Sequence, residues 1–172
     1  MNIRYLALAE RIRGEIPELE RVAQKALAAW TKAQKTPEES AYLDSVALNL
    51  HGFYSGLERL FELVARHIDG VMPDEKTWHR DLLRRMAKDI AGVRPAVISE
   101  GTASALDTFR RFRHLVRNVY AMSLVPERMV GLMSVLPDLW STLREELLAF
   151  ADFLEALDQA TEEAGKPPDE NA

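Results

Sequence analysis

From Ile3 to about Lys35, apolar residues recur at spacings of three and four: Leu8, Ile12, Ile16, Leu19, Val22, Ala26 and Trp30. That stripe belongs to an amphipathic helix, because side chains three and four apart share one face. Pro17 removes a backbone donor inside this stretch, so a kink or a division is expected there. "QKTPEES" (Gln34 to Ser40) is a polar break whose Pro-Glu-Glu suits the start of a helix. The pattern resumes from about Ser40 to Ile68, with Gly52 and Gly56 one turn apart. Glycine inside a helix costs about 1 kcal/mol against alanine, which suggests close approach of a neighbouring backbone at those two positions.

"TWHRDLLRRMAKDIA" predicts a third helix, capped by Thr77 and ended at "GVRP". A fourth starts near Ser99, whose hydroxyl can cap it, and runs to about Met122. The fifth begins with Pro126 in its first turn and runs to about Glu163, with a bend expected at Pro137. Short connections between long helices make antiparallel neighbours. Residues 1–164 are therefore expected to form one all-α, antiparallel, up-and-down bundle of about five helices. Residues 165–172, ending "KPPDENA", are expected to be a disordered tail.

Composition narrows the function classes. The chain has 172 residues, 47% of them apolar, which suits one domain with a sizeable core. A net charge of -5 argues against wholesale wrapping of nucleic acid but leaves room for a local basic patch. Cysteine is absent, which excludes disulfides, thiol nucleophiles and thiolate metal sites. Charges from Arg4 onward interrupt the apolar run a signal peptide needs, and nowhere do about 18 apolar residues run together. A soluble, cytoplasmic protein without membrane contact is the expectation. The four histidines lack metal-ligand spacing, and there is no glycine-rich phosphate loop or serine elbow. No metal or cofactor is expected.

Against this acidic background, "FRRFRHLVRNVYAM" (Phe109 to Met122) places four arginines and a histidine within the eight residues Arg110 to Arg117, with no acid among them. With Arg113 at zero on a helical wheel, Tyr120 lies at about -20°, Arg117 at about 40°, Arg110 at about 60°, His114 at about 100° and Asn118 at about 140°. The apolar residues Phe109, Phe112, Leu115, Val116 and Val119 take the opposite side, between about 200° and 320°. One reading is the solvated face of an ordinary helix. The other is a phosphate site: Arg110, Arg113 and Arg117 repel one another at three and four spacing, and a guanidinium fork suits phosphate.

"RHLVRNVY", with its flanks "FRHLVRNVYAMSLVPERM" and the earlier "LNLHGFYSGLERLFELVARHIDG", resembles the HEPN proteins, and among them the HepT-like toxins of bacterial toxin–antitoxin systems. Their signature is Arg, a polar residue, three further residues, His, any residue and Tyr. Here Arg113, His114 and Tyr120 match, while Asn118 stands where the His belongs. The resemblance implies a helical homodimer whose signature helices meet across a cleft. It also implies metal-independent RNA cleavage by a ribose 2′-hydroxyl, and a nucleotidyltransferase antitoxin that adds AMP to Tyr120. Arg113 would stabilise charge on phosphorus, and Arg110 and Arg117 would bind phosphate. An amide does not titrate near neutrality and cannot carry the proton, so Asn118 becomes a polar contact. His114, about 40° away and one turn earlier, is the candidate proton-transfer group. The alternative is a catalytically silent dimeric binding protein of the same fold.

Other residues are weaker candidates. His79 could enter an RNA cleft, but reads more readily as a surface histidine near a helix start, with nothing nearby to fix its tautomer. His51 and Tyr54 could line a pocket or satisfy each other between helices. Asn49 or Glu58 could hold Arg113 from a facing helix. Arg80, Arg84, Arg85 and Lys88 either extend a basic path for RNA backbone or, with Asp81 and Asp89, form a plain mixed surface. His67 reads as a cation at a helix C-terminus.

Overall fold

The two longest apolar stripes at the start of the chain form α1 (Tyr5–Lys35) and α2 (Ser40–His67), an antiparallel pair joined by residues 36–39. They are followed by α3 (Trp78–Met86), α4 (Glu100–Asn118), a 3₁₀ turn (Pro126–Arg128) and α5 (Val130–Ala164). This is a computed structural model, and it describes residues 5–71, 76–118 and 124–165, without the side chains of Arg117 and Asn118. The architecture is all-α with five helices, and no strand occurs among the described residues. No described helix is long and apolar enough to cross a membrane. Of the expected tail 165–172, all but Gly165 lies outside the described residues, as does the expected helix end at Met122.

Neither internal proline divides its helix, so of the kink or division expected at Pro17 the division does not occur. Pro17 and Pro137 are both exposed, and each deprives only one carbonyl of its helical partner. The third helix is shorter than its pattern predicts. After Met86 the chain turns back, Val97 N and Ile98 N both donate to Met86 O, and Ile90 N donates to Arg94 O at 2.8 Å. Gly92 takes φ +72° inside that turn. Thr77 does not cap α3; its hydroxyl donates to Asp81 Oδ2 at 2.8 Å instead. Ser99 does cap α4, accepting from Thr102 N at 3.2 Å.

Phe53 on α2 sits at the centre of the core. It meets Phe109 of α4 at 6.1 Å and Trp140 of α5 edge-on at 5.8 Å. A buried ring of this size contributes about 1.5–3 kcal/mol. The two helical glycines behave differently from expectation. A Cβ on Gly56 would lie 2.9 Å from Leu19 Cδ2 of α1, so a side chain rather than a backbone makes the close approach. Gly52 is exposed, and its added Cβ would find Val22 Cγ1 at an ordinary 3.8 Å. At the outer edge, Arg13 of α1 pairs with Asp152 (2.5 Å) and Glu155 of α5.

Candidate active site at the meeting of α2, α3 and α4

Glu58 lies on the apolar stripe of α2, between Tyr54 and Phe61, and its side chain is 4% exposed. A carboxylate buried there needs cationic or hydrogen-bonding partners. Two come from other helices. Arg113 Nη1 of α4 donates to Glu58 Oε1 at 2.7 Å. His79 Nδ1 of α3 lies 2.9 Å from Glu58 Oε2. Both atoms of that second contact are buried and have no other partner among the described residues, so a proton shared between them satisfies both. Arg113 is 18% exposed and its guanidinium carbon lies 6.0 Å from the centre of the Tyr54 ring. Its Nε is buried with no partner among the described residues. Burial first, and then the Glu58 charge, push the Tyr54 hydroxyl well above its ordinary range, so Tyr54 stays neutral.

Three sequence expectations are corrected here. The arginines of α4 are compensated. Asp107 pairs with Arg110 at 2.7 Å and with Arg111 at 2.8 Å, while Glu58 takes Arg113. The stretch looks free of acids because Asp107 lies just before it and Glu58 arrives from another helix. Burial alone would raise the Asp107 carboxyl, but hydrogen bonds and charges from Arg110 and Arg111 outweigh it and hold the group below the usual range. Secondly, His79 is no ordinary surface histidine: its side chain is 29% exposed, Glu58 is close enough to fix its tautomer, and the Trp78 ring stacks on it at 3.7 Å. Thirdly, of Asn49 and Glu58, the two candidates to hold Arg113 from the facing helix, Glu58 holds it, while the Asn49 amide donates to Ser45 O at 2.8 Å, one turn back on α2.

His79, Arg110, Arg113 and His114 line a small cavity of about 30 Å³, room for about one water molecule. Beyond Arg110 opens a groove of about 560 Å³ between α3 and α4. Arg80, Arg84, Lys88, Arg110 and Arg111 line it, against only Glu100 and Asp107. Arg84 and Lys88 have no side-chain ion pair among the described residues. Arg85 turns away from this groove. Its Nε lies 2.6 Å from Asp69 Oδ2, beside the pair of Arg94 with Asp69. Arg94 and Asp69 side chains are both 0% exposed, and the guanidinium reaches both carboxylate oxygens, at 2.6 and 2.8 Å. It also donates to the carbonyls of Lys88, Pro95 and Arg85. This clasp ties the end of α2 to α3 and to the turn after it, and so positions His79 and the groove wall. Sequence reading missed Arg94 altogether; nothing marks it beyond its place before a proline.

Of the remaining candidates, Arg117 and Asn118 are the last residues of α4 as described, with side chains outside the described residues, as is all of Tyr120. Among the described residues no group of three or more His, Asp or Glu gathers as a metal site.

The all-α bundle has the architecture of a HEPN-like protein. A family model described as HepT-like protein matches residues 45–154, from α2 to α5. The chain belongs to this HepT-like family. No curated protein and no solved structure matches it.

Proposed function

We propose that this protein is a metal-independent endoribonuclease, the toxin of a toxin–antitoxin pair silenced by a nucleotidyltransferase. Membership of the HepT-like family supports that context. The observation that carries the reading is the placement of Arg113. Glu58 holds one nitrogen, while the guanidinium faces a cavity that also contains Arg110, His79 and His114. Fixed donors beside a phosphate stabilise the charge that grows on its oxygens as a nucleophile attacks, and they need no reorganisation to do so. The ribose 2′-oxygen would attack the adjacent phosphorus and the bond to the 5′-oxygen would break. RNA backbone on one side of the scissile bond would follow the basic groove of Arg84 and Lys88. Arg110 and Arg117 act as phosphate binders, His114 transfers a proton, Asn118 offers a polar contact, and Tyr120 is the adenylylation target.

Two further features bear on the partners. An open groove of about 550 Å³ between α4 and the start of α5 is lined by Phe112, Leu115, Leu132 and Val135 among others, with exposed Val130 beside it. An apolar surface of this kind supports pairing of two chains as a homodimer. The Asn118 substitution favours a second reading, a silent dimeric binding protein.

Total RNA incubated with the purified protein in chelator decides between them. Cleavage that disappears in Arg113→Ala supports the nuclease; intact RNA with tight binding at low salt supports the silent binder. Mass spectrometry after incubation with ATP and a cognate nucleotidyltransferase tests the modification, which should add AMP to the wild type and nothing to Tyr120→Phe.

A further inference from the structure

We infer that His79, held by Glu58, is the proton-transfer residue that abstracts the ribose 2′-hydroxyl proton at this site. The inference rests on the nuclease reading and fills the gap left by Asn118.

The geometry of three contacts supports it. Glu58 Oε2, 2.9 Å from His79 Nδ1, can only accept as a carboxylate, so the shared proton sits on Nδ1. In the neutral ring the lone pair then belongs to Nε2, and His79 lines the cavity. Trp78, stacked at 3.7 Å, fixes the plane of the ring. The groups facing His79 are Glu58 from α2 and Arg110, Arg113 and His114 from α4. Arg113 already supplies the positive charge that the Glu58 carboxylate requires, at 2.7 Å. The Nδ1 contact to Glu58 therefore does not require a second proton on the His79 ring, and a base must lack that proton. Glu58 is a positioning residue for both its partners: one carboxylate sets the charge stabiliser with one oxygen and the base with the other.

The step balances within the site. The 2′-oxygen forms a bond to phosphorus as its proton passes to His79 Nε2. The bond from phosphorus to the 5′-oxygen breaks, and that oxygen leaves with a proton from the protonated His114 ring. A 2′,3′-cyclic phosphate and a 5′-hydroxyl result, and exchange with water resets both rings.

The full chain, single-stranded RNA and a matched RNA with sulfur in place of the bridging 5′-oxygen test this. A thiolate leaves without a proton, so the sulfur substrate removes the need for an acid but not for a base. His79→Gln should cleave ordinary RNA at least about 100-fold more slowly than wild type, with RNA affinity retained. The sulfur substrate should restore His114→Gln and leave His79→Gln slow. Nitrogen NMR of the wild type should show the His79 proton on Nδ1, a readout that needs no variant to fold. Wild-type cleavage together with unimpaired His79→Gln overturns the inference, as does rescue of His79→Gln by sulfur, or a proton on Nε2. A wild-type protein that cuts no RNA sinks the nuclease reading itself.

Discussion

Arg113 and Glu58 stand 55 positions apart in the chain and are joined at 2.7 Å, with the carboxylate almost wholly buried. Breaking a buried pair by removing one partner strands the other. Glu58→Ala should therefore cost about 3 kcal/mol. Because Arg113→Ala removes the same contact, the double variant should cost less than the sum of the singles, by about 0.5–3 kcal/mol in a double-mutant cycle of urea midpoints. Strict additivity would show that the contact is not formed in solution.

The Asp69 clasp predicts acid sensitivity with a definite sign. Burial would raise the Asp69 carboxyl, but hydrogen bonds from Arg94 and Arg85 outweigh it, and the group ends below its ordinary value. A carboxyl depressed in the folded state contributes stability that is full above the unfolded value of about 3.9 and is lost as pH falls through the folded one. Thermal melts should show the wild type losing stability below about pH 4, and Asp69→Asn should be weaker at neutral pH with a flatter acid limb.

Alanine at the two glycines of α2 should have opposite effects. Gly52→Ala meets only ordinary contact and should gain up to about 1 kcal/mol from helix propensity. Gly56→Ala gains the same but forces Leu19, itself buried, out of place, a cost of about 1–3 kcal/mol. Denaturant titration should rank Gly52→Ala above wild type and Gly56→Ala at or below it.

Along the α3–α4 groove, Arg84→Gln with Lys88→Gln should weaken single-stranded RNA binding and lower the slope of log affinity against log salt by about 1.4, or about 0.7 per lost phosphate contact. Arg85→Gln, one position from Arg84, should leave that slope alone and reduce stability, since its partner is Asp69. Fluorescence anisotropy across a salt series reads the first, melting the second.

For the groove between α4 and α5, Val135→Asp should convert a dimer at micromolar concentration into a monomer, seen by light scattering after size exclusion. A wild type that is already monomeric would remove the pairing proposal.

The bundle was legible in the sequence because helix periodicity is local: the ends of α2 and the Ser99 cap fall within a residue or two of their expected places. Lengths failed where a distant contact decides. Arg94 pulls the chain back to Asp69, and α3 is only nine residues long. The site was half legible. The arginines of α4 were plain from their spacing, and Glu58 stood beside Asn49 as a candidate partner for Arg113, but the helical wheel of one helix cannot show which residue of another reaches it. One sign was available: Glu58 is an acid on the inward stripe of α2, and an acid in an apolar row asks for a cation across the interface. His79 had no such mark, because its meaning comes wholly from the Glu58 contact.

A nine-residue helix is too short to persist in water by itself. The outer bank of the basic groove thus persists only through tertiary contact, with Leu82, Leu83 and Met86 in the shared core and the fully enclosed Arg94–Asp69 pair behind it, while the main scaffold of α1, α2, α4 and α5 is held by its own hydrocarbon interior. The two can fail separately: a chain with Arg94 replaced could keep its scaffold standing and still have nowhere to lay a strand of nucleic acid.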